Sequence, residues 1–301
     1  MIKQRGAVAA FLLAFAVTNM VGRDCAAHAG ERDIGLVLSG GGAKGAYEVG
    51  VWQAICEAGL DRRIGAMSGT SVGSICAVLF SSVGDTNRCE SIWKEAMADA
   101  FEVNIGFILA TALHNEQGLD KYANDNGLMS KEALRRVIDL NLSNWPPLAE
   151  ISVYATTTEK RTMNKSYFRL NTLSKTNMLE HVIASCAIPI VYSAQTIDGA
   201  KHVDGFLSDN QPVAPIVEND PENAIKVVIV VYLSHEPKKH IQKSDVGARQ
   251  LVEIIPSKDI SLKIGKLDFS GVDNRPETAR RLIELGRKDA KKALREARLN
   301  E

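Results

Sequence analysis

The sequence predicts an α/β domain of three layers, with helices on both sides of a mainly parallel central sheet. Short apolar runs alternate along the chain with segments of helical periodicity, the order expected of strand–helix–strand crossovers. One run, Ile225-Lys-Val-Val-Ile-Val-Val-Tyr-Leu233, is nearly unbroken and β-branched, as suits a strand covered on both faces. No internal repeat or low-complexity linker marks off a second globular unit.

The N-terminus reads as a leader. Lys3 and Arg5 give a positive start, 6–22 carries no charge and is mostly apolar, and Ala27-His28-Ala29 forms a small-x-small site before Gly30. The expected division is a signal peptide over 1–29 and one domain over 30–301, which implies export to the periplasm or the exterior. An uncleaved N-terminal membrane anchor is the alternative, although the run falls short of the ~20 residues of a span and contains Asn19. Beyond it, about 270 residues suffice for a full core.

Ile34-Gly-Leu-Val-Leu-Ser39 is short enough for a buried strand and runs into Gly40-Gly41-Gly42-Ala43-Lys44-Gly45. A helical pattern follows, with Ala46, Val49, Trp52, Cys56 and Leu60 on one face. Ile64-Gly-Ala-Met-Ser68 is the second strand and Gly69-Thr70-Ser71-Val72-Gly73 the turn after it. Ser74 to Phe80 then reads as a helix apolar on nearly every side.

The second turn is G-x-S-x-G between a strand and a helix, the context in which that motif presents a nucleophile. A sharp turn exposes the serine hydroxyl, glycines on either side leave room for substrate, and the helix aims its first N–H groups at a developing oxyanion. The first turn has two readings. Gly40-x-Gly42-x-x-Gly45 fits a dinucleotide loop with Asp61 downstream, yet Asp61 precedes the second strand instead of ending it. In the other reading the N–H groups of Gly41 and Gly42 form an oxyanion hole for Ser71, with Lys44 adding positive charge.

From Ser82 to Asn126 the chain is least regular and could cover the site. Within it Gly106 to Leu113 is an apolar helix-like piece, either buried or lining an acyl pocket, and His114 reads as surface. Leu128 to Leu142 is an amphipathic helix with Leu134, Val137, Ile138 and Leu142 inward and Arg135 and Arg136 outward, ended by Trp145-Pro146-Pro147. Ile151 to Thr156 is a strand, Tyr167 to Leu170 pairs in the same sheet, and Met178 to Ala184 is helical. The tail from Pro276 to Leu299 is a helix with Ala279, Leu282, Ile283, Gly286, Ala290, Ala293, Leu294 and Ala297 on one face. Its other face mixes basic residues with Glu277, Glu284, Asp289 and Glu296, a solvated surface on a docked helix.

Charge is balanced, 36 basic against 36 acidic residues, which gives no basis for a nucleic-acid partner. Cys56, Cys76, Cys89 and Cys186 show no C-x-x-C spacing and no nearby His at zinc-ligand intervals, so no metal is expected. Cys76 reads as a buried apolar residue, while an exported chain could pair two of the other three.

Gly-Gly-Gly-Ala-Lys-Gly at 40–45 followed by Gly-Thr-Ser-Val-Gly at 69–73 resembles the patatin-like phospholipase family. His202-Val-Asp204-Gly205-Phe-Leu-Ser-Asp-Asn210-Gln-Pro212 resembles its D-G-[GA]…N-x-P segment, and Ala184-Ser-Cys-Ala-Ile-Pro189 the helix end before it; Phe206 stands where the family usually has Gly or Ala. The resemblance covers the chain from about Ile34 onward. It implies a serine hydrolase of lipid carboxyl esters of phospholipase A or lysophospholipase type, without cofactor, acting on lipid with transient membrane contact. It also implies that Asp204 is the base for Ser71, a dyad, with Val72 N–H as a further oxyanion donor. A Ser-Asp-His triad of a serine esterase or thioesterase is the rival, with His202, His235 or His240 as the base.

Overall fold

Strand β1 (Ile34–Leu38) is buried at every position, and its side chains divide between two cores. Ile34, Leu36 and Leu38 enter the larger one, Val37 the smaller. Strand β7 (Val227–Val231) repeats the pattern, with Val227, Ile229 and Val231 on one side and Val228 and Val230 on the other. This alternation with no polar face defines the middle layer of three. The computed structural model describes residues 31–83, 85–99, 151–189, 191–220, 224–261 and 275–299, with short pieces between, and Arg32–Glu301 form one compact unit.

Among the described residues the main sheet has eight strands, β1, β2 (Ile64–Thr70), β3 (Ser152–Glu159), β4 (Lys165–Arg169), β5 (Gln195–Ile197), β6 (Ala200–Asp204), β7 and β8 (Gln250–Ile254). The run β3-β2-β1-β7-β8 is parallel throughout, as expected. Around β3 it becomes antiparallel. β2 pairs with Ser152 to Thr156, β4 with Tyr154 to Thr158, and β6 with Thr157 to Glu159. Two strands cannot use one edge at the same residues, so β4 lies on the edge opposite β2 and β6 continues the edge where β2 stops. Asp204 on β6 therefore pairs with Thr157 one step beyond the Thr70–Thr156 pair.

The larger core lies under α1 (Ala46–Glu57), α2 (Val72–Ser82), α3 (Thr86–Asp99) and α4 (Lys175–Ser185), with α7 (Pro276–Glu296) across α1. The smaller core is roofed by the short helices α5 (Ala214–Glu218) and α6 (Lys243–Val246), through Val213, Ile216 and Val246. A two-stranded ribbon, β9 (Lys263–Ile264) and β10 (Leu267–Asp268), precedes α7.

Several expectations change. Helix α1 is buried at nine of its twelve positions, not along one stripe, because α7 lies across it and α3 packs beside it. It crosses α7 so closely that a Cβ on Gly50 would lie 1.9 Å from the Ile283 carbonyl oxygen and one on Gly286 2.1 Å from that of Tyr47. Leu60 belongs to a separate 3-10 turn, Leu60–Arg63, because Gly59 leaves the helix at φ 71°. Thr86–Asp99 is a regular helix, with Cys89, Ile92 and Trp93 in the core, where irregular chain was expected. Asp289 is buried, accepting hydrogen bonds from the Tyr47 hydroxyl (3.1 Å) and the Ser257 N–H (2.8 Å), so that face of α7 is not all solvated. Among the described residues the cysteines at 56, 76, 89 and 186 form no disulfide.

The leader-like segment, the Gly106–Leu113 piece, His114 and the inward positions proposed for 128–142 lie outside the described residues. Arg135 pairs with Glu180. Among the described residues no helix is long and apolar enough to cross a membrane.

Candidate active site

Parallel pairing brings the C-terminal ends of β1 and β2 side by side, so the glycine turn after β1 and the serine turn after β2 meet at one edge. Ser71 stands between β2 and α2 at φ 54°, ψ −125°, a left-handed conformation that costs a non-glycine residue about 1–3 kcal/mol. Its N–H donates to Ser185 Oγ (2.9 Å), which donates to the Thr156 carbonyl (2.6 Å); its carbonyl accepts from Ser74 N–H and Oγ. Serine at a helix start usually caps its helix through the hydroxyl. Ser71 makes no such cap, which leaves Oγ available. A Cβ on Gly69 would meet the Gly73 backbone at 2.2 Å, and one on Gly73 the Leu38 carbonyl oxygen at 2.4 Å, so both glycines are required for the turn to sit on β1.

Asp204 closes β6 and is fully buried. Oδ1 accepts the Phe206 N–H at 2.9 Å, while Oδ2 is buried without a hydrogen-bond partner. Burial pushes the carboxyl up to about 7, against the opposing pull of the Phe206 N–H and the nearby Ser71 hydroxyl. Cys186 adjoins Ser71, Ser74 and Asp204, and burial raises its thiol, so it stays a neutral neighbour. The packing at Phe206 adapts to the larger side chain by leaving it 45% exposed, and Gly205 fits over the Thr156 carbonyl.

The first turn is a 3-10 turn, Gly42–Gly45, with Gly42 at φ 58°. Among the described residues nothing accepts a hydrogen bond from the N–H groups of Gly41, Gly42 or Val72. The Lys44 stem lies over Gly41, and Gly45 packs under Trp93. The loop is sewn to the segment after Asp204. Asn210 Oδ1 accepts the Gly40 N–H (3.0 Å) while its Nδ2 donates to the Gly40 carbonyl (3.4 Å), and Gln211 Nε2 donates to Ser39 Oγ (3.2 Å). Ser68 and Thr70 hydroxyls donate to the carbonyls of Pro212 and Asp209. Segment 209–212 thus holds both glycine turns against the aspartate.

The histidines go elsewhere. His202 Nδ1 lies 2.9 Å from Thr157 Oγ1 with its ring edge-on to Phe168; burial lowers its pKa. His235 Nδ1 meets the Pro256 carbonyl and His240 the Glu253 carboxylate. Asp61 sits in the turn before β2, a strand's length from the glycine loop, so it is out of reach for a dinucleotide held there. No group of three or more His, Cys, Asp or Glu among the described residues could hold a metal ion.

Sequence reasoning missed the roles of Ser185, Cys186 and Glu48. Ser185 and Cys186 lay inside a quoted segment but gave no sign of facing Ser71. Glu48 gave one, a carboxylate in the first turn of a helix that carries no other charge from Val49 to Cys56.

The profile of the family described as patatin-like phospholipase matches residues 36–217, which include both glycine turns, Ser71 and Asp204. The chain belongs to the patatin-like phospholipase family. Lysophospholipase nte1 of Aspergillus niger is 39% identical over 77 residues, 22% of this chain and 5% of that protein. The Aspergillus oryzae protein of the same name is 46% identical over 74 residues, 21% of this chain and 5% of its own length. The chain thus spans about 5% of the length of the curated relatives it matches. Among solved structures, VipD from Legionella pneumophila is similar with a TM-score of 0.49 and 14% identity, covering 88% of this chain and 67% of VipD. In this patatin-like domain both glycine turns, the serine and the aspartate converge on one edge of the sheet.

Proposed function

We propose that this patatin-like domain is a lipid acyl hydrolase of phospholipase A or lysophospholipase type. The observation that carries the reading is Ser71, strained and uncapped, beside a buried Asp204 carboxyl with an unpartnered oxygen. Asp204 takes the proton as Ser71 Oγ attacks the ester carbonyl. The N–H groups of Gly41, Gly42 and Val72 receive the oxyanion, and the alcohol leaves with the proton from Asp204. Water, giving a proton to Asp204 that passes back to Ser71 Oγ, then releases the fatty acid from the acyl-enzyme. A carboxylate is ordinarily too weak for this proton, and desolvation is what brings Asp204 towards the working range. None of the three candidate histidines, His202, His235 and His240, competes, since each is engaged with another partner. Substrate arrives from a lipid surface, and Phe206 and Leu207, exposed just after Asp204, support that approach.

A fluorophosphonate should label the purified protein at Ser71 and block release of fatty acid from lysophosphatidylcholine, while Ser71→Ala abolishes both, a loss of about a thousandfold or more. Retained turnover in a folded Ser71→Ala protein would refute the proposal. Export belongs to the same reading, with 1–29 as the signal and 30–301 as the mature domain. Native protein should then begin near Gly30 on N-terminal sequencing, and an intact Met1 on cytoplasmic protein would count against it.

A further inference from the structure

A second fully buried carboxyl takes no part in the chemistry above. Glu48 lies in the first turn of α1, directly beneath the glycine loop. Its Oε1 accepts the N–H of Ser39 at 2.8 Å, and Ser39 is the residue that leads into Gly40. Its Oε2 is buried with no hydrogen-bond partner. Ser39 is otherwise held by its hydroxyl, which donates to the Val231 carbonyl at 2.6 Å and accepts from Gln211 Nε2. Glu48 is thus the contact that ties the Ser39 peptide to α1.

We infer that Glu48 is a positioning residue for ester hydrolysis, fixing the Ser39 peptide and through it the loop that presents the Gly41 and Gly42 N–H groups. The inference rests on reading those two groups as oxyanion donors. Oxyanion stabilisation depends on donors already in place when charge develops, so a loop that drifts loses turnover more than binding. An apolar side chain at 48 would leave the Ser39 N–H buried and unpaired, and the loop would shift to find it a partner.

The charge state of Glu48 matters for the same reason. The titratable group facing it is the Cys76 thiol from α2, which burial holds protonated; the remaining contact is the Ser39 N–H. With burial unopposed by any cation, the carboxyl is pushed up to about 8, so its neutral form is the one present at neutral pH. A neutral carboxyl holds the Ser39 N–H through its carbonyl oxygen, as an amide would. An ionised one places a negative charge beneath a loop whose task is to receive another.

The test compares wild type, Glu48→Gln and Glu48→Leu on a soluble p-nitrophenyl fatty ester from about pH 6 to about pH 10, with Ser71→Ala alongside. Glu48→Leu should lose about tenfold or more in kcat with KM little changed, measured at a temperature where the variant remains folded, since it also leaves the Ser39 N–H unpaired. Glu48→Gln should recover most of that kcat and lack the decline that wild type shows as the pH passes about 8. A folded Glu48→Leu with wild-type kcat overturns the inference. So does a Glu48→Gln profile declining like wild type, which decides the matter even if Glu48→Leu fails to fold. Activity surviving in Ser71→Ala overturns the hydrolase reading and this inference with it. An inactive Ser71→Ala beside a fully active Glu48→Leu overturns this inference alone.

Discussion

Two regions at the same end of the sheet each bury a carboxyl completely, and they use it differently. Glu48, under the glycine loop, grips a backbone N–H and has only a thiol nearby. Asp204, after β6, adjoins the Ser71 hydroxyl and leaves an oxygen without a partner. Burial raises both, to about 8 and about 7. What separates them is the neighbour. A carboxyl beside a hydroxyl can exchange a proton with it, whereas a carboxyl on a peptide N–H can only hold it in place. On the proposed mechanism the same physical shift gives a base in one place and a brace in the other.

The sharpest way to break this comparison is Asp204→Asn. An amide of the same shape keeps the Phe206 N–H contact but cannot take the serine proton, so turnover should fall by about a thousandfold or more with the fold intact. In wild type the base works ionised, so kcat/KM should climb as pH rises through about 7. That acid-side limb should persist in His202→Gln, His235→Gln and His240→Gln, each within a few-fold of wild type. One of these variants as inactive as Ser71→Ala would replace the dyad with a triad.

A smaller effect, in stability, treats the two carboxyls alike. Both have folded pKa values above their ordinary ones, so the stability they contribute is full below the ordinary carboxylate range and is lost as pH rises through the folded values. Asp273, held down at about 2 by Arg275, and Glu57 and Glu90 beside their lysines act with the opposite sign. The informative quantity is therefore the difference between variant and wild type. Glu48→Gln and Asp204→Asn should each melt higher than wild type at about pH 8 by about 2–4 °C, with the gap closing towards about pH 4. A gap that did not change with pH would show that burial is not what raises these groups.

The strands and the two glycine turns were legible because their signals are local. Val227 to Val231 is apolar at every position, and Gly69 to Gly73 announces its turn through three residues of known steric need. Asp204 was legible only through resemblance, since Asp-Gly is an ordinary turn dipeptide. Asp289 was misread for a related reason: a single acid on a mixed face looks solvated until Tyr47 and Ser257 are brought against it from other parts of the chain. Helix α1 was assigned one apolar stripe because nothing in its own twelve residues shows that α7 covers its back.

By itself the sequence determined the alternation of strand and helix, the parallel centre of the sheet and a sharp strand–turn–helix at Ser71, because each follows from periodicity or from backbone geometry over a few neighbours. Tertiary structure alone decided what faces Ser71. The edge of β3 passes from β2 to β6 and brings Asp204 one register step from Thr70, Ser185 arrives from α4 to hold the Ser71 N–H, and Glu48 turns inward to hold Ser39. Ser185 is separated from Ser71 by 114 residues and Glu48 from Ser39 by 9, and strand pairing and core packing bring them together. Burial, which raises both carboxyls, is a property of what surrounds a group in space, and no stretch of sequence around Glu48 or Asp204 specifies it.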